Sequence, residues 1–500
     1  MNKKAPYASP HAEAVAEEGG GLNAALSIVG QSAQQLSGFV ITLLAAGFLS
    51  AAAYGTYTLA VVFVEFVVML TYTGFFHFVV TSDANKDAVL PTVFWVMLGI
   101  GVAGGGLMIA FAEPLAQVFQ TPDLAPVLTL LGLMQPFAAG ISWGAACLIR
   151  AGQMRRYFQI LIVANAFALL AGSVLLIYWQ SLYALIAYRA VRLGFSLCLY
   201  SLVVPKLPRL RFDLAVFRAA WRYALGLYGA RTMTFFSTFG ADLALAYVFS
   251  TAEAGLYRFA NRLALSTVDI IAQPLRSFSL KSFGAAARHA QPLTPVFDLF
   301  FPAALLLTGG FALTVFVLGG ALVEALFRPE YLAAVAAVQA LSLRAAGRVG
   351  QNMVEPTFSA TKRTQMPFYH NLLFAMAMLL LVVLVAPFGF VALAWSQAAL
   401  QIAAVPFALW MIARFSPVDV ASSFARAGRA VWLLAGYGCG LWLVWQILAR
   451  TRISPETAMI LGGSSALCLG AATCVAAHRL GILSPHLFAG TSAGSVGAQT

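Results

Sequence analysis

"GFLSAAAYGTYTLA" occupies Gly47 to Ala60, and "YVFSTAEAGLYRFA" occupies Tyr247 to Ala260. Aligned without gaps, the two stretches share Ser50 with Ser250, Ala52 with Ala252, Gly55 with Gly255, Tyr57 with Tyr257 and Ala60 with Ala260. The same offset extends backwards through Ser37/Ser237, Phe39/Phe239, Leu43/Leu243 and Ala46/Ala246. Each copy sets a short loop before Gly-x-Tyr, between two long apolar stretches. A second match, at a slightly different offset, pairs "LYALIAYR" at 182–189 with "FVALAWSQ" at 390–397. The chain therefore reads as two parallel six-helix repeats, related by an axis near the membrane normal, which is a transporter architecture.

Composition sets the solvent. The 500 residues are 61% hydrophobic and 10% charged, and the mean hydropathy is +0.84. A soluble domain carries about a quarter charged residues, so this chain lacks the polar side chains to cover itself in water. The N-terminal residues 1–21 have no short apolar core with a cleavage site, and no removable signal peptide is expected. Cys147, Cys198, Cys439, Cys468 and Cys474 fall in apolar stretches without metal or disulfide spacing and read as buried thiols.

A spanning helix needs about 20 mostly apolar residues. Fourteen segments qualify: 22–50, 56–80, 88–112, 124–148, 157–178, 181–204, 225–249, 254–278, 294–320, 331–358, 366–387, 389–413, 429–449 and 456–478. The fold class is thus an all-α polytopic membrane protein. The expected parts are a cytoplasmic tail at 1–21, an N-lobe at 22–204, a linker at 205–224 and a C-lobe at 225–414. Two extra helices follow within 415–479, then a tail at 480–500 whose end composition predicts disorder. The longest polar connections are about 205–224 and 276–293, too short for a soluble domain.

Charge sets the orientation. With the N-terminus inside, the inner segments hold Lys3, Lys4, Lys86, Arg155, Arg156, Lys206, Arg209, Arg211, Lys281 and most other basic residues, whereas the outer loops hold only Arg328, Arg450 and Arg452. The net charge of +12 is then mainly a topology signal. It does not mark a nucleic-acid partner. Both termini are expected in the cytoplasm.

The Gly-x-Tyr motifs, "DLALAYVFSTAEAGLYRFANRLA" at 242–264, "LFRPEYLAA" at 326–334 and "PFGFVALAW" at 387–395 resemble bacterial polysaccharide flippases of the multidrug/oligosaccharidyl-lipid/polysaccharide (MOP) exporter superfamily. The resemblance covers most of 22–414. It implies two helical lobes around a central cavity and alternating access in the bacterial inner membrane. It also implies an oligosaccharide on an undecaprenyl pyrophosphate carrier as cargo, with a polysaccharide polymerase and a chain-length regulator as partners. No cofactor is implied.

Seven arginines fall inside the spans: Arg189, Arg192, Arg231, Arg258, Arg262, Arg344 and Arg348. Each costs about 2.5–3.5 kcal/mol at mid-bilayer on insertion scales unless it meets a partner or water. The first half has Gln31, Thr42, Thr58 and Val62 where the second has Arg231, Asp242, Arg258 and Arg262, so the repeated fold does not itself demand these charges. Arg258 with Arg262, and Arg344 with Arg348, are four apart and share helix faces. Guanidinium suits phosphate because it stays charged and binds bidentately. The competing reading is ion pairing, with Asp269 seven residues after Arg262 and Glu355 seven after Arg348; Arg258 also lies near the outer end and could snorkel. Glu65, Asp242 and Asp269 are candidates for proton or Na⁺ coupling, or for pairing with an arginine of another helix. Gln31, Gln34, Gln35, Asn165 and Asn261 can bond sugar hydroxyls or join helices. Tyr57, Tyr188, Tyr257 and Trp143 can stack on sugars or sit in an interfacial belt.

"GIGVAG" at 99–104 fits a dinucleotide-loop pattern but has no preceding strand, so close helix packing is the better reading. The six histidines have no metal spacing. Four functions stand: a lipid-linked oligosaccharide flippase, a drug or cation exporter, a lipid II flippase, and a membrane ligase or polymerase. The excess of arginine over acid in the spans favours an anionic cargo over a cation. The short outer loops disfavour the enzyme.

Overall fold

The computed structural model describes residues 37–82, 86–204, 209–361, 363, 365–451 and 453–484. The tail at 1–21, most of the first expected span and the end of the chain from 485 lie outside these residues. What is described is almost wholly helical. Ten helices are long and apolar enough to cross a membrane, and an eleventh forms if the bent pair Leu124–Leu133 and Gln135–Arg150 is one span. Two further expected spans are present as the long helices Leu214–Val248 and Thr251–Arg288. Charge lowers their hydropathy, and the charges on the second include Arg258, Arg262 and Asp269.

The expected linkers are largely helix. The Leu214–Val248 helix starts eleven residues before the expected span, because the Asp213 carboxylate accepts from Ala215 N (2.9 Å) and Val216 N (3.3 Å). The Thr251–Arg288 helix has 38 residues, about 57 Å at 1.5 Å per residue, against a hydrocarbon core of about 30 Å. Its last turns, with Lys281 and Arg288, continue as helix where the sequence suggested a loop.

The chain divides into two compact units that do not follow the order of the repeats. Among the described residues, one holds those up to Ile41 and within Phe63–Leu115 and Asp123–Thr232; the other holds those within Thr42–Val62 and Ala116–Pro122 and from Met233. The division near 232 falls inside a continuous helix, not in the 205–224 segment, since packing and not chain order defines a unit.

The first unit packs by close backbone approach. Its core includes Phe75, Val93, Met97, Ala146 and Leu148. The "GIGVAG" segment lies on the Lys86–Ala110 helix. A Cβ built on Gly101 would stand 3.0 Å from Gln135 O, one on Gly105 2.3 Å from Gly132 O, and one on Gly104 2.5 Å from a Val67 methyl. Small residues permit such contacts in lipid, where apolar surface alone gives helices no reason to associate.

In the second unit the two copies of the repeated motif meet. A Cβ on Gly55 would lie 2.2 Å from Thr251 O, and one on Gly255 2.1 Å from Ala51 O. The serines before them start their helices in parallel ways: Ser50 Oγ accepts from Ala53 N (3.2 Å), and Ser250 Oγ from Glu253 N (3.3 Å). Glu253 returns the bond to Ser250 N (3.1 Å), completing a capping box. "LFRPEYLAA" closes the same knot. Tyr331 OH donates to Leu49 O (3.2 Å) and Arg328 Nη1 to Phe48 O (3.4 Å), which satisfies carbonyls at the end of the Ser37–Phe48 helix. The Tyr331 ring packs edge-on against Phe259, 4.7 Å between centroids. A larger apolar core lies elsewhere in this unit, around Phe283, Phe297, Phe300, Phe358 and Ile412.

The thiols depart from expectation. Only Cys147 is buried; Cys198, Cys439, Cys468 and Cys474 are exposed on helix faces. In a spanning helix the outward face meets lipid, which suits a small apolar thiol as well as a core does.

The glycine contact predicts an asymmetric response to added methyl groups. Gly255→Ala forces a methyl into the Ala51 carbonyl and should lower the apparent unfolding midpoint of detergent-purified protein, at a cost of about 1–3 kcal/mol. Gly436→Ala, on a helix face with nothing within 4 Å, should leave the midpoint unchanged or raise it. Equal midpoints for the two variants would contradict the packing.

Candidate functional site

The charges of the second unit are held by their neighbours in three different ways. Arg258 is buried, 6% exposed, and does not snorkel. Its Nη1 donates to Gly55 O (3.1 Å) and to Thr58 Oγ1 (3.2 Å). Thr58 is its own counterpart in the first copy of the motif. Arg258 thus ties the second copy to the first beside the glycine crossing. Arg262, one turn on, is exposed and makes no ion pair or hydrogen bond among the described residues.

Arg344 and Arg348 stand on the expected tenth span, one candidate membrane helix from Pro329 to Ala360 that is locally irregular at Arg348. A 3₁₀ turn at Pro329–Ala334 leads into Val335–Gly347, and the helix resumes over Val349–Ala360. Arg348 is the joint. Gly347 permits a close approach to the Phe390–Phe415 helix: a Cβ there would lie 3.0 Å from Gln401 Cγ, and Gln401 Nε2 reaches Gly347 O at 3.4 Å. Irregular backbone at membrane depth needs such partners.

Arg348 Nη1 lies 3.6 Å from Asp269 Oδ1, with side chains 30% and 23% exposed. This corrects the pairing read from spacing. Asp269 pairs with Arg348 and not with Arg262, and Glu355 pairs with Arg276 and not with Arg348. Spacing along one helix shows only which residues share a face; the partner comes from the helix packed against that face.

Arg344 takes neutral partners. Its Nη1 donates to Gln397 Oε1 (2.9 Å) and approaches Tyr257 OH at 3.4 Å, while Tyr257 OH donates to Gln397 Oε1 at 2.5 Å. Gln397 is fully buried and Tyr257 is 1% exposed. Arg344 Nε, Gln397 Nε2 and Asn261 Oδ1 are buried without a hydrogen-bond partner among the described residues. Gln397 and Gln401 were not singled out from sequence. The signal was available: two glutamines four apart, "QAALQ", in an otherwise apolar span.

In the first unit Arg189 Nη2 lies 3.4 Å from Glu65 Oε1, with side chains 13% and 38% exposed. Of the alternatives for Glu65, the structure therefore gives it an arginine on another helix. Arg192 is half-buried and Arg231 exposed, and neither makes an ion pair among the described residues. Trp143 is buried and its Nε1 donates to Leu90 O (2.9 Å); Tyr188 is also buried. In this conformation Trp143, Tyr188 and Tyr257 offer no open ring face to a sugar, whereas Tyr57 is half-buried. Asn165 Nδ2 is spent on Leu161 O (2.7 Å). Gln31, Gln34, Gln35 and the Asp242 side chain lie outside what is described. Among the described residues no three His, Cys, Asp or Glu side chains are placed to hold a metal ion.

A multi-pass helical protein with a locally irregular span and charged side chains on its membrane helices defines a class, and the fold agrees with it. The chain superposes on the lipid II flippase MurJ, in an inward closed conformation, with a TM-score of 0.72, 13% identity and coverage of 91% of this chain and 99% of that one. It also superposes on an inward-facing multidrug resistance MATE family transporter of the MOP superfamily, with a TM-score of 0.62, 12% identity and coverage of 78% and 96%. These likenesses show the fold alone, one shared with MurJ and the MATE transporter. The family follows from sequence: residues 44–336 match the model for the polysaccharide biosynthesis protein family, and the chain belongs to that family. The matched region begins just before the first Gly-x-Tyr motif and ends just after "LFRPEYLAA". Among curated relatives, the succinoglycan biosynthesis transport protein ExoT of Rhizobium meliloti (strain 1021) is 23% identical over 49% of this chain and 50% of its own length. The amylovoran biosynthesis protein AmsL of Erwinia amylovora is 22% identical over 56% of this chain and 73% of its own. The chain thus spans about half the length of the first of these relatives.

The ion pair at the joint gives a reciprocal prediction. Arg348→Gln leaves Asp269 without its partner and should lower protein abundance and the unfolding midpoint, by about 2 kcal/mol for a pair that is only partly buried. Adding Asp269→Asn should restore most of the loss. Failure of Asp269→Asn to rescue, together with rescue by Asp269→Asn of an Arg262→Ala defect, would return Asp269 to Arg262.

Proposed function

We propose that the protein is a flippase that carries an oligosaccharide repeat unit on undecaprenyl pyrophosphate across the bacterial inner membrane, for exopolysaccharide or O-antigen synthesis. Family membership and the fold shared with MurJ and the MATE transporter support the transporter reading. The names of ExoT and AmsL, which refer to succinoglycan and amylovoran biosynthesis, favour a cargo of that kind over lipid II.

One observation carries the choice of cargo: Arg344, on a membrane helix, is oriented by neutral groups and has no carboxylate partner among the described residues. Arg189 is paired with Glu65, and Arg258, which also has neutral partners, is committed to the glycine crossing through Gly55 O and Thr58 Oγ1. An arginine with no such commitment is suited to meet a counter-ion that comes and goes, and a diphosphate supplies it. We read Arg192 and Arg231 of the first unit, and Arg262 and Arg348 of the second, as further cationic candidates for the headgroup; Arg192, Arg231 and Arg262 form no ion pair among the described residues. Gln31 belongs to the same proposal from its place in the repeat. Alternating access would expose these residues to each face in turn. Asp269, at the joint, is the coupling candidate best placed to exchange partners during the cycle, with Glu65 and Asp242 as further candidates. On this reading both termini are cytoplasmic. The translocated unit passes to a polysaccharide polymerase and its chain-length regulator, and the protein itself makes or breaks no glycosidic bond.

Deletion of the gene tests the proposal in the cell. One surface or secreted glycan should disappear while its lipid-linked repeat unit accumulates on the inner leaflet. Normal glycan with new drug sensitivity would favour an exporter. Arrest of wall synthesis would favour lipid II as cargo.

A further inference from the structure

Resting on the flippase reading, we propose that Gln397 and Tyr257 are positioning residues that present the side-on edge of the Arg344 guanidinium to paired oxygens of a diphosphate. Gln397 Oε1 accepts from both Arg344 Nη1 (2.9 Å) and Tyr257 OH (2.5 Å). An amide oxygen has two lone pairs, and both are used. Tyr257 is itself held by burial, so the acceptor that fixes Nη1 is fixed in turn. What remains is the edge formed by Nε and Nη2. Nε is buried without a partner, and no hydrogen bond reaches Nη2 among the described residues. That edge is a planar two-donor fork, the geometry that matches two oxygens of one phosphate group.

The repeat explains why the anchor is an amide. In the alignment of 182–189 with 390–397, Gln397 stands at the position of Arg189. In the first unit Arg189 faces Glu65, 3.4 Å away, and the charges cancel. In the second unit Leu265 stands at the position of Glu65, and an amide at 397 orients an arginine from a third helix. A carboxylate at 397 would hold Arg344 as firmly but would neutralise it. The amide fixes direction and leaves the charge for an anion.

The test uses the full-length protein in detergent, with farnesyl diphosphate as probe and uncharged farnesol as control. Gln397→Met keeps the volume and removes the acceptor; it should weaken diphosphate binding about tenfold and farnesol binding much less. Gln397→Glu should abolish the preference for diphosphate through neutralisation, although it restores an acceptor. Tyr257→Phe removes one hydroxyl, should give a smaller loss of the same kind, and carries the test if Gln397→Met does not accumulate. In an Arg344→Lys background, Gln397→Met should cost nothing further, because the fork it orients is gone. Equal losses for the two probes, or a full additional loss in the Arg344→Lys background, would overturn the positioning role. Diphosphate binding that falls in Arg344→Lys but is unchanged in both Gln397→Met and Tyr257→Phe would overturn it while leaving Arg344 as a cargo contact. Unchanged binding in Arg344→Lys would remove both.

Discussion

The approach of Gly55 to Gly255 organises the second unit. Lipid gives apolar helices no reason to pair, so contact must come from packing and from polar groups that have nowhere else to go. Here two backbones come close enough that neither glycine can gain a Cβ without a shift. Arg258 then donates across the crossing to the Gly55 carbonyl, and Tyr331 and Arg328 take the last carbonyls of the Ser37–Phe48 helix. Three sequence motifs scattered between residues 47 and 334 therefore serve one place in the fold. This also explains the charge that the second copy adds: Glu253 caps its own helix, and Arg258 grips the other copy.

Once that crossing is spent on structure, the remaining charges sort themselves by partner. Arg189 and Arg348 have carboxylates. Arg344 has an amide and a phenol. This distinction carries more than the number of arginines, because in a low-dielectric setting a counter-ion decides whether a guanidinium is available. The joint at Arg348 adds to it. The Arg348–Asp269 contact, still part exposed, lies at the one-residue irregularity of the span that bears both arginines.

Much of this was legible in the sequence. Composition and periodicity gave the helices and their apolar lengths, and the Gly-x-Tyr repeat pointed to the residues that meet at the crossing. "GIGVAG" was readable as helix packing because no strand precedes it. Partners were not legible. Asp269 lies seven residues after Arg262 on one helix, yet its counter-ion comes from another, and only tertiary packing decides that. The irregularity at Gly347–Arg348 carries no proline and no turn motif, and Gln401 lies against that glycine. Gln397 was hidden for a related reason: a neutral side chain in a span attracts attention only when its neighbours are known. Packing across the chain was not legible either: Thr42–Val62 packs with residues that follow it by two hundred positions.

The central claim is that this fold moves a diphosphate-linked glycan and that an un-neutralised arginine recognises it. The direct measurement is translocation in proteoliposomes of a fluorescent undecaprenyl-pyrophosphate-linked oligosaccharide, followed by loss of its protection from an impermeant quencher. The account predicts movement that requires the protein and falls by about an order of magnitude in Arg344→Gln at equal protein density. No protein-dependent movement, or movement unchanged by Arg344→Gln, would contradict it.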